Sequence, residues 1–313
     1  MSMSKGSFYY LHEEPGYLKI SGKDRLDFLQ RQTTNDLHNL SMDQPVVTVL
    51  TSPAGRILDV LWIIDEGGDS YGVLTLPGQR EQTARFLNSR IFFMDKVSIE
   101  TTDDFLQVDL LSDSLPGILH DLGVDGYPNE KNITHIEFNH FPIKVLTHPH
   151  LNPRFLILRE SGEQAFSIFK DSELQSLSPD EYHVRRIESG LPAAGHELVE
   201  DYTPLEIGFR WAISDNKGCY TGQEVIARQV NYDKITRHLV GLKIEDMPKD
   251  KLSVFSIENG QPVGTVTSAA FSPRFGPIAL AVVKRPFHLP GTELRLRSSN
   301  QEMSARTNAL PFT

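Results

Sequence analysis

Cys219 is the only cysteine in the chain, and it stands in the run Lys217-Gly218-Cys219-Tyr220-Thr221-Gly222-Gln223-Glu224. A thiol does its chemistry as the thiolate, a form that positive charge and a helix N-terminus both favour. Lys217 supplies a charge two residues away. Thr221 to Glu224 reads as a capping box opening a helix that Val225, Ile226 and Val230 continue, so Cys219 is expected just ahead of that helix. Gly218 and Gly222 flank it and let backbone or ligand come close. A single cysteine is equally a small buried apolar residue. On residue types and spacing the two readings balance.

A second group lies upstream. Ser178-Pro179-Asp180-Glu181 has a hydroxyl N-cap, a proline at the first helical position and an acid at the third. The helix it opens carries Tyr182, Val184, Ile187 and Glu188 to a stop at Gly190. On spacing alone Glu188 reads as an ordinary surface glutamate, although a carboxylate can accept N–H bonds, and Tyr182, whose ring could stack, equally suits the core. His135, His140, His148 and His150 have no cysteine or carboxylate at ligand spacing and read as solvated loop histidines, so no metal site is expected. Ser272-Pro273-Arg274-Phe275-Gly276-Pro277 reads as a loop entering a strand, with no chemistry assigned.

The elements that must position these groups are short. Tyr17–Ile20 is a strand pattern, followed by a helix with Leu26, Phe28 and Leu29 behind a capping-box-like Ser21 and Asp24. Val46–Leu50 and Ile57–Ile64 read as paired strands around the turn Ser52-Pro53-Ala54-Gly55. Tyr71–Leu76 suits a strand, and Gln79–Asn88 a helix with Ala84 and Leu87 inward. Phe105–Leu111, Phe141–Leu146 and Phe155–Leu158 form a second set. From Leu239 onward the helical period gives way to short strands broken by glycine and proline, at 239–244, 262–267, 278–283 and 294–297, which favours a small antiparallel barrel. The expected division is residues 1–236, in two α+β subdomains, and 237–313. No internal repeat or low-complexity tract is evident.

Composition sets outer limits. Hydrophobic residues make up 39% and charged residues 23%, ordinary for a globular chain with a good-sized core. No apolar run reaches the roughly 20 residues of a membrane span. The start, Met1 to Gly6, shows no apolar or Arg-rich stretch, so no targeting signal is expected. One cysteine excludes an internal disulfide and suits a reducing compartment, with cytoplasm the default. The net charge of −10 argues against broad binding to nucleic acid or anionic lipid, so an anionic ligand needs a locally basic pocket.

The octapeptide matches at every specified position the signature Lys-Gly-Cys-Tyr-x-Gly-Gln-Glu of the YgfZ proteins and their mitochondrial iron–sulfur assembly relatives. The resemblance spans nearly the whole chain. Arg186-Ile187-Glu188-Ser189-Gly190-Leu191-Pro192, with Gly195, Glu197, Pro204 and Glu206, resembles the segment leading to the signature, and Arg237-His238-Leu239-Val240-Gly241-Leu242 resembles its exit. Phe28 to Asp36 and Ser52 to Arg56 are similar to both YgfZ and the glycine-cleavage T-protein. The resemblance implies an α+β fold: a folate-binding ring of subdomains, two of them ferredoxin-like, with a C-terminal β-barrel, the aminomethyltransferase fold. It implies tetrahydrofolate, or a one-carbon derivative, as ligand.

It also implies roles. Glu188 matches the glutamate that binds the pterin in T-proteins, where a carboxylate suits the paired N–H groups of a 2-aminopyrimidinone edge. Tyr182 stands where bacterial YgfZ proteins carry a tryptophan implicated in folate binding. At the second such position this chain has Pro15, with Tyr17 nearby. T-proteins place a catalytic aspartate in a Gly-x-x-Asp-Asp run; here Gly55-Arg56-Ile57-Leu58-Asp59 puts Leu58 in its place, and leucine cannot handle a proton. On an alternating strand Asp59 is expected to face away from Leu58. The leading expectation is a folate-binding accessory protein serving iron–sulfur enzymes, including radical enzymes that modify tRNA, with the Cys219 thiol, aided by Lys217, acting beside bound folate. The alternatives are a T-protein-like aminomethyltransferase or demethylase and a scaffold with a decayed folate site.

Overall fold

A computed structural model describes residues 6–313 apart from positions 113, 126, 128–131, 139, 171 and 173. The opening residues 1–5, read above for targeting, lie outside the described residues. The chain begins with β1 (Ser7–Leu11), β2 (Gly16–Ser21), α1 (Arg25–Gln32), β3 (Val46–Thr51), β4 (Ile57–Asp65), β5 (Ser70–Thr75), α2 (Arg80–Asn88) and β6 (Ser98–Thr102). It continues with β7 (Phe105–Ser112), α3 (Leu115–Asp121), β8 (Asn132–Phe138), β9 (Phe141–His148), β10 (Leu151–Leu158), α4 (Gly162–Lys170), β11 (Gln175–Ser176) and α5 (Pro179–Glu188). After α6 (Gln223–Asn231) come only strands: β12 (Arg237–Ile244), β13 (Ser253–Ser256), β14 (Pro262–Ser272), β15 (Gly276–Lys284), β16 (Glu293–Arg297) and β17 (Glu302–Asn308).

Three sheets result. One has the order β3-β4-β5-β2-β6 and a second β11-β1-β7-β10-β9-β8; strands β12 to β17 close into an antiparallel barrel. The inner faces of the first two sheets share one core, in which Val47, Val60 and Trp62 meet Leu146 and Leu156. Leu198, Tyr202 and Phe209 of the long connection after α5 complete it. The outer faces are covered by helices: α1 and α2 bury Phe28, Leu29, Ala84 and Leu87, and α4 buries Ala165 and Phe169. The fold is therefore α+β with a terminal barrel. Among the described residues no helix is long and apolar enough to cross a membrane.

Buried ion pairs tie the barrel to α5 and to the connection that follows it. Arg186 of α5 donates to Glu197 Oε2 (2.8 Å) and to Ser268 Oγ (2.6 Å), and Glu197 Oε1 accepts from Thr267 and Ser268 of β14. Arg237 at the start of the barrel grips Glu206 through two bonds of 2.7 and 2.9 Å. Removing one partner of such a pair leaves a buried charge alone, which is why both ends of each are required together.

Two local expectations need correction. Asp24 is the N-cap of α1 but makes no side-chain cap bond, because its carboxylate accepts the Lys96 backbone N–H at 2.9 Å instead. Leu58 and Asp59 do not face opposite ways. The pairing of β3 with β4 shifts between Asp59 and Ile57, a bulge that breaks the alternation. Leu58 packs with Leu61 and Ile63 on the helix-covered side, and Asp59 accepts from Thr83 of α2 on that same side.

Candidate functional site

Loop 213–222 is clamped before it reaches α6. Ser214 N–H donates to Thr34 O (3.1 Å), Thr221 N–H to Arg31 O (3.0 Å) and Thr51 Oγ1 to Thr221 O (2.6 Å). Lys217 is only 8% exposed and its ammonium donates to Thr33 O (2.7 Å) and Asn35 O (2.6 Å). Burial lowers its pKa to about 8, with the nearby Asp36 opposing the shift. The lysine thus fastens the loop to residues 33–35. Tyr220 is buried with Leu205, Ile213 and Ile226, and burial pushes its phenol up to about 12.

The expected capping box at Thr221 does not form. Gly222 is the N-cap of α6, with φ of +84° and no side-chain cap bond, and Thr221 Oγ1 reaches Gln32 Oε1 at 3.4 Å. A Cβ on Gly222 would stand 2.7 Å from Ser52 O and 3.0 Å from Gly55 Cα. The turn at residues 52–55 therefore presses on the end of the signature and requires glycine there. Gly218 is different, with open space around an added Cβ. Gln223 opens α6, and Glu224 is an exposed residue paired with Arg228 at 3.1 Å.

Cys219 is free and exposed. It lines a cleft of about 460 Å³ with Arg31, Gln32, Arg90, Phe92 and Tyr220. Its chain position close to Lys217 does not put the ammonium in the cleft; the two guanidinium side chains of Arg31 and Arg90 line it instead.

Glu188, at the C-terminal end of α5, is buried rather than on the surface. Its Oε1 accepts from Ser272 Oγ at 2.5 Å, while Arg274 Nη1 stands 4.0 Å from Oε2, beyond hydrogen-bond reach. Among the described residues no donor bonds that second oxygen, which stays open. The residue lines a cavity of about 310 Å³ with Asn152, Arg185, Ser189 and Phe312. The segment Ser272–Pro277, given no role on sequence, supplies both Ser272 and Arg274.

Tyr182 lines a smaller space of about 90 Å³, with Trp62, Asp109, Arg154 and Phe209, that shares Asn152 with the Glu188 cavity. One face of its ring is taken by Tyr10, stacked at 4.0 Å, and its hydroxyl donates to Asp109 Oδ2 at 2.9 Å. Burial, then the Asp109 charge, raises the phenol well above its ordinary value. Tyr17 stands elsewhere, its hydroxyl bonded to Glu66 Oε1 at 2.5 Å.

Asp109 is the acid that sequence reading missed. It sits in the apolar run of β7, and Arg154 Nε (2.6 Å), His12 Nε2 (2.9 Å) and Tyr182 all converge on it. Burial alone would raise its pKa, but the Arg154 and His12 charges hold it well below the usual carboxylate range. A charged residue in a hydrophobic strand was the available signal; its partners come from three other elements. Asp59, by contrast, is fully buried and accepts from Val60 N, Leu76 N and Thr83 Oγ1, and burial raises it to about 7 against those bonds. On β4 it is Val60 and Trp62 that line the Tyr182 space.

The site residues thus fall into two places. Tyr182 and Glu188 line adjoining cavities, and the Cys219 cleft shares no lining residue with either. His148 and His150 pack against Trp211, and His140 is exposed beside Glu137.

Comparison with known proteins supplies a context. Residues 237–313 match the family described as the glycine cleavage T-protein C-terminal barrel domain. A chloroplastic protein of Arabidopsis thaliana, provisionally described as a transferase, is 31% identical over 262 residues, or 81% of this chain. The chain spans 59% of that protein's length. The mitochondrial aminomethyltransferase of Dictyostelium discoideum is 26% identical over 95% of the chain and 79% of its own length. The crystal structure of the glycine cleavage system aminomethyltransferase T from Bartonella henselae has the same fold, with a TM-score of 0.82 at 19% identity, covering 100% of this chain and 88% of that one.

Proposed function

We propose that this chain, a relative of the glycine-cleavage T-proteins, binds tetrahydrofolate or a one-carbon derivative without performing aminomethyl transfer, and serves iron–sulfur enzymes through Cys219. The observation that carries the reading is a separation of parts. An exposed thiol stands on a loop fastened by Lys217, while the cavity side of β4 offers Val60 and Trp62 and no carboxylate.

The Glu188 cavity fits the N–H-rich edge of a pterin. Oε2 is open, the Ser272 hydroxyl orients the carboxylate, and Asn152 leads into the Tyr182 space. Bound folate would supply a one-carbon carrier. The protein's part is to hold the ring at Glu188 and exclude water around it. Tyr182 serves chiefly as a wall, since Tyr10 and Asp109 occupy its face and hydroxyl. Asp109 is a poor general acid or base, because Arg154, His12 and Tyr182 already occupy its carboxylate. Leu58 and Asp59 offer no substitute from the helix-covered side of β4.

The match of residues 217–224 to the YgfZ signature supports the iron–sulfur role and radical tRNA-modifying enzymes as clients, in the cytosol. In this reading the thiol acts from its own cleft by exchange with a client disulfide, the Cys219 thiolate bonding one sulfur while the other leaves as thiolate, so that no oxidant is consumed. A calorimetric titration is expected to detect tetrahydrofolate binding, and incubation with both tetrahydrofolate and aminomethyl-loaded lipoyl carrier protein to release no ammonia. Ammonia release at enzymatic rates would make the protein an aminomethyltransferase; absence of binding would leave only a scaffold.

A further inference from the structure

Arg185 precedes Glu188 by three residues on α5, so the two side chains leave neighbouring positions on one helix face. Both line the cavity of about 310 Å³. The Arg185 guanidinium lies over the Phe8 ring, 4.0 Å from its centroid, and the residue is 8% exposed. Its Nε and Nη2 are buried with no hydrogen-bond partner among the described residues. These two atoms form one edge of the guanidinium, the edge that grips an acceptor in a fork. Its neighbour in sequence, Arg186, and Arg154 both spend their donors on buried carboxylates.

A buried cationic edge left without an acceptor is costly, and a ligand oxygen brought to it removes that cost without competition from water. Glu188 beside it needs the opposite, an N–H donor for its open oxygen. A residue with free donors and a residue with a free acceptor, lining one cavity, are the complement of a cyclic amide, H–N–C=O, presented edge on. We propose that Arg185 determines which ring this cavity accepts, reading the carbonyl oxygen that adjoins the N–H groups taken by Glu188, so that the site selects 2-amino-4-oxo-pteridines over 2,4-diamino ones. The inference rests on the folate reading of the cavity. A 4-amino group would set a donor against the Arg185 donors, and the loss of the hydrogen at the adjoining nitrogen would weaken the bond to Glu188.

The test is a cycle of four affinities: wild type and Arg185→Met, each titrated with tetrahydropteroylglutamate and with its 4-amino analogue. Wild type is expected to prefer the 4-oxo compound on the order of tenfold to a hundredfold, the size of one charge-assisted bond. Arg185→Met is expected to shrink that preference to within about threefold, mainly by weakening the 4-oxo compound. A wild-type preference retained in Arg185→Met overturns the inference. Should that variant not fold, Arg185→Lys keeps the charge without the fork, and an undiminished preference there is equally contrary. If wild type binds neither compound, the folate reading falls and the inference with it. If Glu188→Ala loses binding while Arg185→Met keeps the full preference, the inference alone is lost.

Discussion

Glu188→Ala is expected to weaken tetrahydrofolate binding by roughly ten- to a hundredfold, the equivalent of about 1.5–3 kcal/mol for a charge-assisted hydrogen bond in a buried site. The carboxylate is already oriented by Ser272, so little ordering cost is paid when the ring arrives. Glu188→Gln is the sharper variant. It keeps the size and the packing but turns one acceptor into a donor, so it is expected to lose affinity by at least as much as alanine. Calorimetry with each variant, alongside thermal unfolding to confirm an intact fold, makes the comparison. Affinity unchanged in both would remove Glu188 from the folate site.

Gly222→Ala is expected to be the most damaging small substitution in the signature. Its φ of +84° alone costs a side chain about 1–3 kcal/mol, and the new Cβ would press on Ser52 O at 2.7 Å with backbone on both sides. A loss of stability of at least about 2 kcal/mol is therefore expected, by urea unfolding. Gly218→Ala, at a position with open space and no left-handed backbone, is expected to stay within about 0.5 kcal/mol of wild type. Equal effects at the two glycines would show that the turn at residues 52–55 does not brace the loop.

Much of the architecture was legible because it is written locally. The capping box at Ser178 forms as its spacing suggests, and the strands at 57–64, 239–244 and 278–283 lie where alternation and apolar runs put them. The misses share a physical cause, which is tertiary contact overriding a local pattern. Thr221 to Glu224 have the residues of a capping box, but Gly222, left-handed and packed against Ser52 and Gly55, takes the cap position. A bulge against β3 cancels the alternation that separated Leu58 from Asp59. The site was legible as a list of residues and not as a place. Spacing within an octapeptide put Lys217 beside Cys219 in function, whereas the ammonium turns inward to residues 33–35 and the thiol outward. Asp109, His12, Arg154 and Arg185 come from separate elements, and no sequence period joins them.

The proposed function depends on the Cys219 thiol. Serine keeps the size and hydrogen bonding of cysteine but cannot form a mixed disulfide or a stable anion. Cys219→Ser is therefore expected to fold and bind tetrahydrofolate like wild type, since the residue lies in a cleft apart from the Glu188 cavity. The decisive measurement is the activity of an iron–sulfur tRNA-modifying enzyme in a strain lacking its own YgfZ protein, complemented with wild type or with Cys219→Ser at matched levels. Wild type is expected to restore activity, and the serine variant to leave it at the level of the empty strain. Full restoration by Cys219→Ser would contradict the proposed function and leave Cys219 as an exposed residue without a role.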